Sequence, residues 1–170
     1  MSGFYLIDAR NKMVIFQSGD YFTWELKDFN GDGNKDIFLD KGGNTPERFD
    51  LLLYVSHNHF KQIEDFDKFP SPVHIKGTRF YYSYHKSGCA DQNWDSDLFY
   101  IQGFKAVRLG NVSGNNCNNS GIKDGVYINK IKGEKKILIK TLPVNILAKF
   151  KNHKWGFIEH YWTTNYKNFL

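Results

Sequence analysis

Residues Asp28–Asp40, DFNGDGNKDIFLD, place acidic and amide side chains at alternating positions in a segment interrupted by two glycines. In a loop of this spacing, alternate residues direct their oxygen atoms inward, and Gly33 permits the sharp backbone turn that this requires. Oxygen atoms are the ligands that Ca²⁺ prefers. The segment therefore predicts one calcium site with these ligands: Asp28, Asn30, Asp32, Asn34 through its carbonyl group, and Asp36 directly or through water.

The loop departs from the EF-hand pattern. Position twelve, which carries a bidentate Glu in a helix-loop-helix calcium site, is Leu39 here. The flanking segments FTWEL and IFLD have the composition of strands. A solvated Asn-Gly/Asp-Gly hairpin without metal is the alternative interpretation, although four oxygen-bearing side chains exceed what a turn needs.

The two cysteines, Cys89 and Cys117, lie in the loop-like segments SGCADQNW and SGNNCNNSG. Two buried free thiols, typical of an intracellular protein, are the alternative to a disulfide. A loop rich in Gly and Asn gives a buried small hydrophobe little reason to be there, so we expect a disulfide. A disulfide favours a periplasmic or otherwise exported protein, and the short apolar start, interrupted by Asp8, is not a signal peptide.

The same two segments are the longest glycine- and asparagine-rich stretches of the chain, and long loops on a β scaffold are where binding residues concentrate. We expect a partner-binding surface on Ser87–Asp97 and Ser113–Gly121, with Trp94 as its anchor. Its polar neighbours are expected to be Ser87, Asp91, Asn93 and Asp95. Packing of Trp94 over the cysteines is the alternative. Two further aromatic candidates for an exposed surface are Tyr81 and Trp162.

Catalytic chemistry has weaker support. Asp91, Asp95 and Asp97 could form paired carboxylates with Glu159 for glycoside hydrolysis, but loop acids are abundant in soluble proteins. The sequence contains no nucleophile elbow, zinc-protease, P-loop or dinucleotide motif. We therefore expect a protein without catalytic residues.

The elements that must position these residues are short strands. Runs with period-two or β-rich composition recur every 8–12 residues or so between Gly, Asn and Asp turns. The spacing predicts an all-β fold, an antiparallel meander of short strands in one small propeller-like domain over residues 1–170. Helix is expected only near Asp65–Phe69 or Val144–Lys149. The predicted strands are FYLID, KMVIFQ, YFTWELKD, DIFLD, FDLLLYVS, HFKQI, TRFYYSYH, DLFYIQ, KAVRLGNV, GVYINKI, KKILIKTL and WGFIEHYW.

Composition excludes two classes of partner. The net charge is +5, but the lysines are scattered instead of forming the basic stripe of a nucleic-acid binder. No apolar run approaches the roughly 20 residues of a membrane span. The positive balance suits an acidic protein surface.

Three segments resemble a group of small bacterial exported proteins that carry one calcium loop in a propeller-like β fold and are similar to periplasmic lysozyme inhibitors. The segments are DYFTWELKDFNGDGNKDIFLD, FDLLLYVSHNHFKQIEDF and YYSYHKSGCADQNWDSDLFYI. The first also resembles the calcium loops of integrin-type FG-GAP repeats. Lysozyme inhibitors present an S-G-x-x-Y loop to the enzyme. In this chain neither Ser87-Gly88 nor Ser113-Gly114 is followed by that Tyr. The resemblance therefore extends to the architecture and not to lysozyme as the target.

The resemblance implies a calcium-binding protein that binds and inhibits a partner enzyme. That partner would be a peptidoglycan-cleaving hydrolase. This chain would then be either a housekeeping inhibitor or the immunity protein of a secreted antibacterial toxin. The alternative is a calcium-dependent carbohydrate-binding module or a glycan-acting enzyme.

Overall fold

The computed structural model describes residues 3–19, 21–42, 48–57, 59–117 and 121–170. The chain divides into two compact units, one formed by Met1–Pro70 with Ile101–Ala106 and the other by Ser71–Tyr100 with Val107–Leu170. Each unit has a hydrophobic cluster of its own, and the single domain expected over residues 1–170 stays a prediction. The two units are therefore described one at a time.

The first unit contains a hairpin and a four-stranded antiparallel sheet. The central strands of the sheet are DIFLD and FDLLLYVS, whose nearly continuous apolar runs are buried on both faces. One face carries Ile37, Leu39 and Leu52, against which the hairpin residues Phe4 and Phe16 pack. The strands are β1 (Phe4–Ile7), β2 (Val14–Ser18), β3 (Thr23–Lys27), β4 (Asp36–Asp40), β5 (Phe49–Ser56) and β6 (His59–Gln62).

The other face of this sheet is covered by aromatic side chains. The ring of Phe66 lies 5.3 Å from that of Phe29 and 5.9 Å from that of Phe38, both in edge-to-face orientation. This geometry is favourable for aromatic pairs. Phe66 lies in a 3₁₀ turn, Phe66–Lys68, which confirms the short helical piece expected near Asp65–Phe69.

The second unit is built on a seven-stranded sheet with the order β13-β12-β11-β10-β8-β7, in which β9 also pairs with β10. The tip of the β10–β11 hairpin belongs to the first unit. The strands are β7 (Val73–His74), β8 (Phe80–Tyr82), β9 (His85–Lys86), β10 (Trp94–Gln102), β11 (Lys105–Asn115), β12 (Gly125–Lys132) and β13 (Lys135–Leu142).

A single α-helix in the described residues, α1 (Lys154–Asn165), covers one face of this sheet. Its Trp162 is fully buried, and the indole Nε1–H donates a 2.8 Å hydrogen bond to Ser96 Oγ on β10. Phe157 and Ile158 join the same core. Because side chains alternate along a strand, Trp94, Ser96 and Leu98 face this core while the odd-numbered residues of β10 face the opposite side.

The all-β prediction is confirmed, and the described strands form open antiparallel sheets, with no closed barrel or propeller among them. Every predicted strand run is a strand except WGFIEHYW, which lies in α1. That prediction was wrong because packing against the sheet overrides the β propensity of these aromatic residues. Ile158, Tyr161 and Trp162 recur at helical intervals, and their packing against the sheet stabilises the helix. Val144–Lys149 forms a 3₁₀ helix, as expected.

Within the described residues, no helix is both long and apolar enough to cross a bilayer.

The three aromatic residues predicted to be exposed are buried. Tyr81 is 4% exposed, Trp94 2% and Trp162 0%. Trp94 faces the core because the glycine on the neighbouring strand leaves room for its ring: a Cβ atom at Gly114 would lie 2.2 Å from Trp94 Nε1. The prediction of Trp94 as an exposed anchor was therefore wrong.

This contact predicts that Gly114→Ala destabilises the protein. The added methyl group must displace the indole, and overpacking of this kind costs about 1–3 kcal/mol of unfolding free energy. Denaturant unfolding measures the loss. Gly19→Ala is the control, since a Cβ there meets nothing within 4 Å. Equal stabilities of the two variants would contradict the prediction.

Candidate functional site

A disulfide joins Cys89 and Cys117, with their Cα atoms 6.2 Å apart, as predicted. Cys89 lies in the loop between β9 and β10, and Cys117 follows the end of β11. The bond therefore connects the two segments expected to carry the partner-binding surface. Residues 118–120 of the second segment lie outside the described residues. Ser113–Asn115, expected in a loop, instead extend β11 by pairing with Gly125–Tyr127 of β12.

The loop at Cys89 has an unusual backbone. Cys89, Ala90 and Asp91 have φ angles of 49°, 48° and 72°, three successive non-glycine residues in the left-handed region. This conformation costs roughly 1–2 kcal/mol per residue. Such strain persists only where the surrounding structure over-determines it, and it is concentrated at functional sites.

Several contacts besides the disulfide hold this loop in place. The Asp91 carboxylate accepts a hydrogen bond from Tyr84 Oη and forms an ion pair with Lys154. The Ser87 N–H donates to the Asn93 carbonyl at 2.8 Å, and the Asn116 N–H donates to Asn93 Oδ1 at 3.1 Å. The loop is thereby tied to its own base, to β11 and to the start of α1.

These interactions shift the pKa values of Asp91 and Tyr84. Burial by itself raises the pKa of Asp91, but the hydrogen bonds from Lys154 and Tyr84 outweigh it, and the pKa is lowered. Burial and the neighbouring carboxylate raise the pKa of Tyr84 well above its usual value. Asp91 is therefore an ionised residue engaged within the protein.

A groove with a volume of about 500 Å³ opens beside this loop on the face of the sheet opposite α1. Four predicted partner-binding residues line it, namely Ser87, Asn93, Asp95 and the buried Trp94. The opposite wall comes from β12, β13 and the segment before β12, with Leu138 and Ile122 56% and 58% exposed. The residues of that wall are Ile122, Tyr127, Asn129, Lys136 and Leu138.

Sequence reasoning missed the β12–β13 wall. Lys136 and Leu138 lie in a run that reads as an ordinary strand, and only the strand order places β13 across from the Cys89 loop. The available signal was the pair of adjacent lysines before the exposed run ILI in KKILIKTL. Such a run is unusual on the solvent face of an edge strand.

Two carboxylates lie on this polar face of the sheet. Asn111 Nδ2 donates to Asp97 Oδ1 at 2.8 Å and to Asp95 Oδ1 at 3.1 Å, so one amide bridges both side chains. Arg108 Nη2 approaches Asp97 Oδ2 at 3.2 Å in an ion pair without hydrogen-bond geometry. Lys136 Nζ lies 3.9 Å from Asp95 Oδ1 at the groove.

The environments of these carboxylates move their pKa values in opposite directions. Burial raises the pKa of Asp97, and the Arg108 charge opposes that rise. The pKa of Asp95 lies below its usual range. Burial acts to raise this pKa, but hydrogen bonds from His85, Ser87 and Asn111 outweigh the effect of burial. Such divergence is a property of catalytic acid-base pairs, but also of structural networks.

The geometry favours the structural interpretation. Asp97 is 1% exposed, so a substrate cannot reach its carboxyl group. Glu159 lies on α1, which packs against the other face of the sheet, and it is not brought together with Asp95 and Asp97. Asp95, which lines the groove, is the member of the pair that a partner can contact.

The predicted calcium loop joins β3 to β4, so its flanks are strands as expected. Asp28 accepts N–H bonds from Gly31 and Asp32 at one oxygen and from Gly33 at the other, over 2.8–3.1 Å. The two glycines have φ angles of 78° and 88°, which allow the tight turns. The Asn34 N–H donates to Asp32 Oδ1 at 2.8 Å. The loop is therefore compact.

Asp36 is the fully buried member of this set. Its oxygens accept N–H bonds from Phe29 and Tyr54, each at 2.9 Å. Burial, with a contribution from the Asp32 charge, nevertheless raises the pKa of Asp36. Across the described ranges, no three His, Cys, Asp or Glu side chains converge as a preformed metal site. The donor set suits Ca²⁺ in chemistry, because carboxylate and amide oxygens keep further lone pairs.

Comparisons with known proteins are sparse. No protein-family model matches the chain, and no curated protein matches it. A solved structure described as that of a Xanthomonas type IV secretion system related protein is similar, with 16% sequence identity and a TM-score of 0.51 over 69% of this chain. The chain spans 57% of the length of that protein. At this identity the likeness shows the fold alone.

The depressed pKa of Asp95 predicts a pH-dependent contribution to stability. A carboxyl group whose folded pKa lies below its unfolded value of about 3.9 stabilises the fold above that value and loses the effect as pH falls. At pH 7 we expect Asp95→Asn to lower the unfolding free energy by about 1.5–3 kcal/mol, the range for hydrogen bonds to a charged group.

The difference between wild type and Asp95→Asn should shrink as the pH falls below about 4. Urea unfolding at a series of pH values measures it. A difference that stays constant from pH 7 to pH 3 would show that the Asp95 charge does not contribute.

Proposed function

We propose that this is an exported protein that binds and blocks a partner enzyme through the groove between the Cys89 loop and β13. The single observation that carries the proposal is the strained loop Cys89–Asp91, fixed by the disulfide, beside an open groove. A surface that is rigid before association loses less conformational freedom on binding, which favours affinity. The disulfide also supports an oxidising compartment such as the periplasm.

The lining of the groove favours a protein partner. Exposed Leu138 and Ile122 lie beside polar Asn93, Asn129 and Asp95, an apolar patch with a polar surround. Such patches mark interaction surfaces. Lys136, 48% exposed at its side chain, adds a positive charge at the groove, and the whole chain carries +5.

The positive charge points to an acidic partner. Glycan-cleaving enzymes carry paired carboxylates in their clefts, and electrostatic complementarity speeds association with such a surface. We therefore propose a peptidoglycan-cleaving hydrolase as the partner. The similar fold of a secretion-system-related protein is compatible with an immunity role toward a secreted antibacterial toxin.

We further propose that Asp28–Asp36 binds one Ca²⁺ with a structural role. The ligands would be the side chains of Asp28, Asn30, Asp32 and Asp36 with the Asn34 carbonyl. The support is the oxygen-only donor set in a compact strand-loop-strand turn and the burial of Asp36, whose charge a nearby cation would stabilise. No step of partner binding requires the ion itself.

A carbohydrate-binding module is the second candidate. One observation favours it: a cavity of about 300 Å³ is lined by 48%-exposed Trp155 together with Asn115, Asn116 and Asn152. An exposed indole with amide neighbours is suited to a sugar face. Affinity purification from cell extract separates the two functions, because an inhibitor returns one stoichiometric protein and a lectin elutes with free sugar.

Calcium should raise the melting temperature of the protein. A ligand that binds only the folded state at 100 times its Kd stabilises it by about 2.7 kcal/mol. Asp32→Ala should abolish this rise, and Asp124→Ala, a change at an exposed acid outside the loop, should preserve it. Calorimetry with calcium or with chelator provides the measurement. A wild-type melting curve that is the same in both conditions defeats the calcium proposal.

Charge reversal at the groove should weaken inhibition of the partner. We expect Lys136→Glu to weaken inhibition of a peptidoglycan hydrolase at least tenfold, which corresponds to about 1.4 kcal/mol of binding free energy. A turbidity assay on purified cell walls measures the inhibition. Lys140→Glu is the matched control, since Lys140 lies on the same strand but does not line the groove. Equal inhibition by both variants would move the partner surface away from β13.

A further inference from the structure

The ends of the two larger sheets differ in how they are protected. An unpaired edge strand is a template for another strand, and proteins block such edges with short strands, lysines or bulges. Among the described strands, β7 has two residues and β6 has four. Strand β13 carries three lysines and pairs with β12 through a register shift.

Strand β3 has little of this protection. All five of its residues are exposed, and it pairs with β4 in an unbroken register from Thr23 to Lys27. Its outer edge is the end of the four-stranded sheet as described. Lys27 is its one lysine and lies at the last position.

Large apolar side chains lie along one face of this edge. Trp24 and Leu26 are 57% and 54% exposed, and their alternation along β3 places them on the same side. Phe22, which directly precedes the strand, is 83% exposed. Trp24 is opposite Leu39 and Leu26 is opposite Ile37, so these two side chains continue the apolar face of the sheet.

The chain's own hairpin does not bury this continuation. Strands β1 and β2 pack on Ile37, Leu39 and Leu52, and they leave Trp24 and Leu26 more than half exposed. An exposed apolar row of this kind on an open edge marks an interaction surface.

We propose that the β3 edge binds the β3 edge of a second copy, antiparallel, about a twofold axis at Trp24. In a twofold edge-to-edge pairing, opposed residues lie on the same face of the continuous sheet. This register sets Trp24 opposite Trp24 and Phe22 opposite Leu26. On the other face it sets Thr23 opposite Glu25, a pairing without charge conflict.

The neighbouring registers are poorer. Centring the axis on Glu25 sets two carboxylates directly opposite each other, which is destabilising. Centring it on Leu26 sets Trp24 opposite Asp28 and leaves Phe22 unpaired. The Trp24 register alone among these three pairs every large apolar side chain with another and leaves the Asp28–Asp36 loop outside the paired region.

This self-complementarity identifies a second copy as the occupant. A strand from an unrelated protein does not need to be complementary to itself in order to pair with β3. Binding of such a strand without dimerisation is therefore a separate outcome of the test. The pairing joins two four-stranded sheets into one eight-stranded sheet, counted from the four strands of each copy. The proposal is independent of the groove, which lies in the other unit.

Sedimentation velocity over a range of protein concentrations tests the proposal. We expect wild type to dimerise reversibly and Trp24→Lys to weaken dimerisation at least 100-fold. Ile139→Lys is the matched control, because Ile139 is similarly exposed, at 53%, on the edge strand of the other sheet and does not line the groove. Circular dichroism and the melting temperature verify that both variants are folded.

A cysteine pair tests the register. Thr23→Cys with Glu25→Cys in one chain should form a disulfide-linked dimer on mild oxidation, because each new cysteine faces its counterpart in the second copy. The native cysteines are already bonded to each other. Glu25→Cys alone should not crosslink.

Three results would overturn the proposal. Wild type could remain monomeric at every concentration, whether or not a strand of another protein binds the β3 edge. The dimer could be lost with Ile139→Lys and kept with Trp24→Lys. Glu25→Cys alone could crosslink as fast as the pair, which places the axis at Glu25.

Discussion

The close packing of Trp94 on Gly114 is the contact on which the second unit depends. The indole occupies the space that a side chain at Gly114 would fill, so the first residue of β10 lies directly beside the end of β11. That approach brings Cys89 and Cys117, each a few residues away, within disulfide distance. The disulfide and the left-handed loop are consequences of a packing arrangement made by the sheet.

The sheet of this unit has two different faces. The face toward α1 is apolar and closed by Trp162, whose indole satisfies Ser96. The opposite face buries Asp97 and partly buries Asp95, which is costly unless each carboxylate has partners. Asn111 supplies a donor to both, and the resulting polar network forms the floor beneath the groove. The polar character of this face is therefore built into the strands and does not come from surface loops alone.

The first unit combines a closed turn with an open edge. Local hydrogen bonds from the loop backbone to Asp28, with Asp36 buried at the base, fix the turn between β3 and β4. The same turn fixes β3, which exposes Trp24 and Leu26 at the end of the four-stranded sheet as described. The first unit therefore places the proposed calcium loop directly beside an exposed apolar strand.

The sequence determined the features that depend on local chemistry. Period-two runs specified the strands, and the Asp28–Asp36 spacing specified a compact turn between β3 and β4. Cysteines in Gly- and Asn-rich segments specified the disulfide. The strands and the turn follow from neighbouring residues. The composition around each cysteine favours a disulfide, and the sheet then brings the two cysteines together.

Only the tertiary structure decided which side chains meet. Trp94 has the composition of an exposed loop anchor, but its burial depends on a glycine on another strand. Lys136 and Leu138 contribute to the groove because of strand order, which no local pattern encodes. The aromatic run in α1 has β propensity, and packing against the sheet overrides it. Long-range contacts determine burial and adjacency, and these are the properties that convert a list of candidate residues into a site.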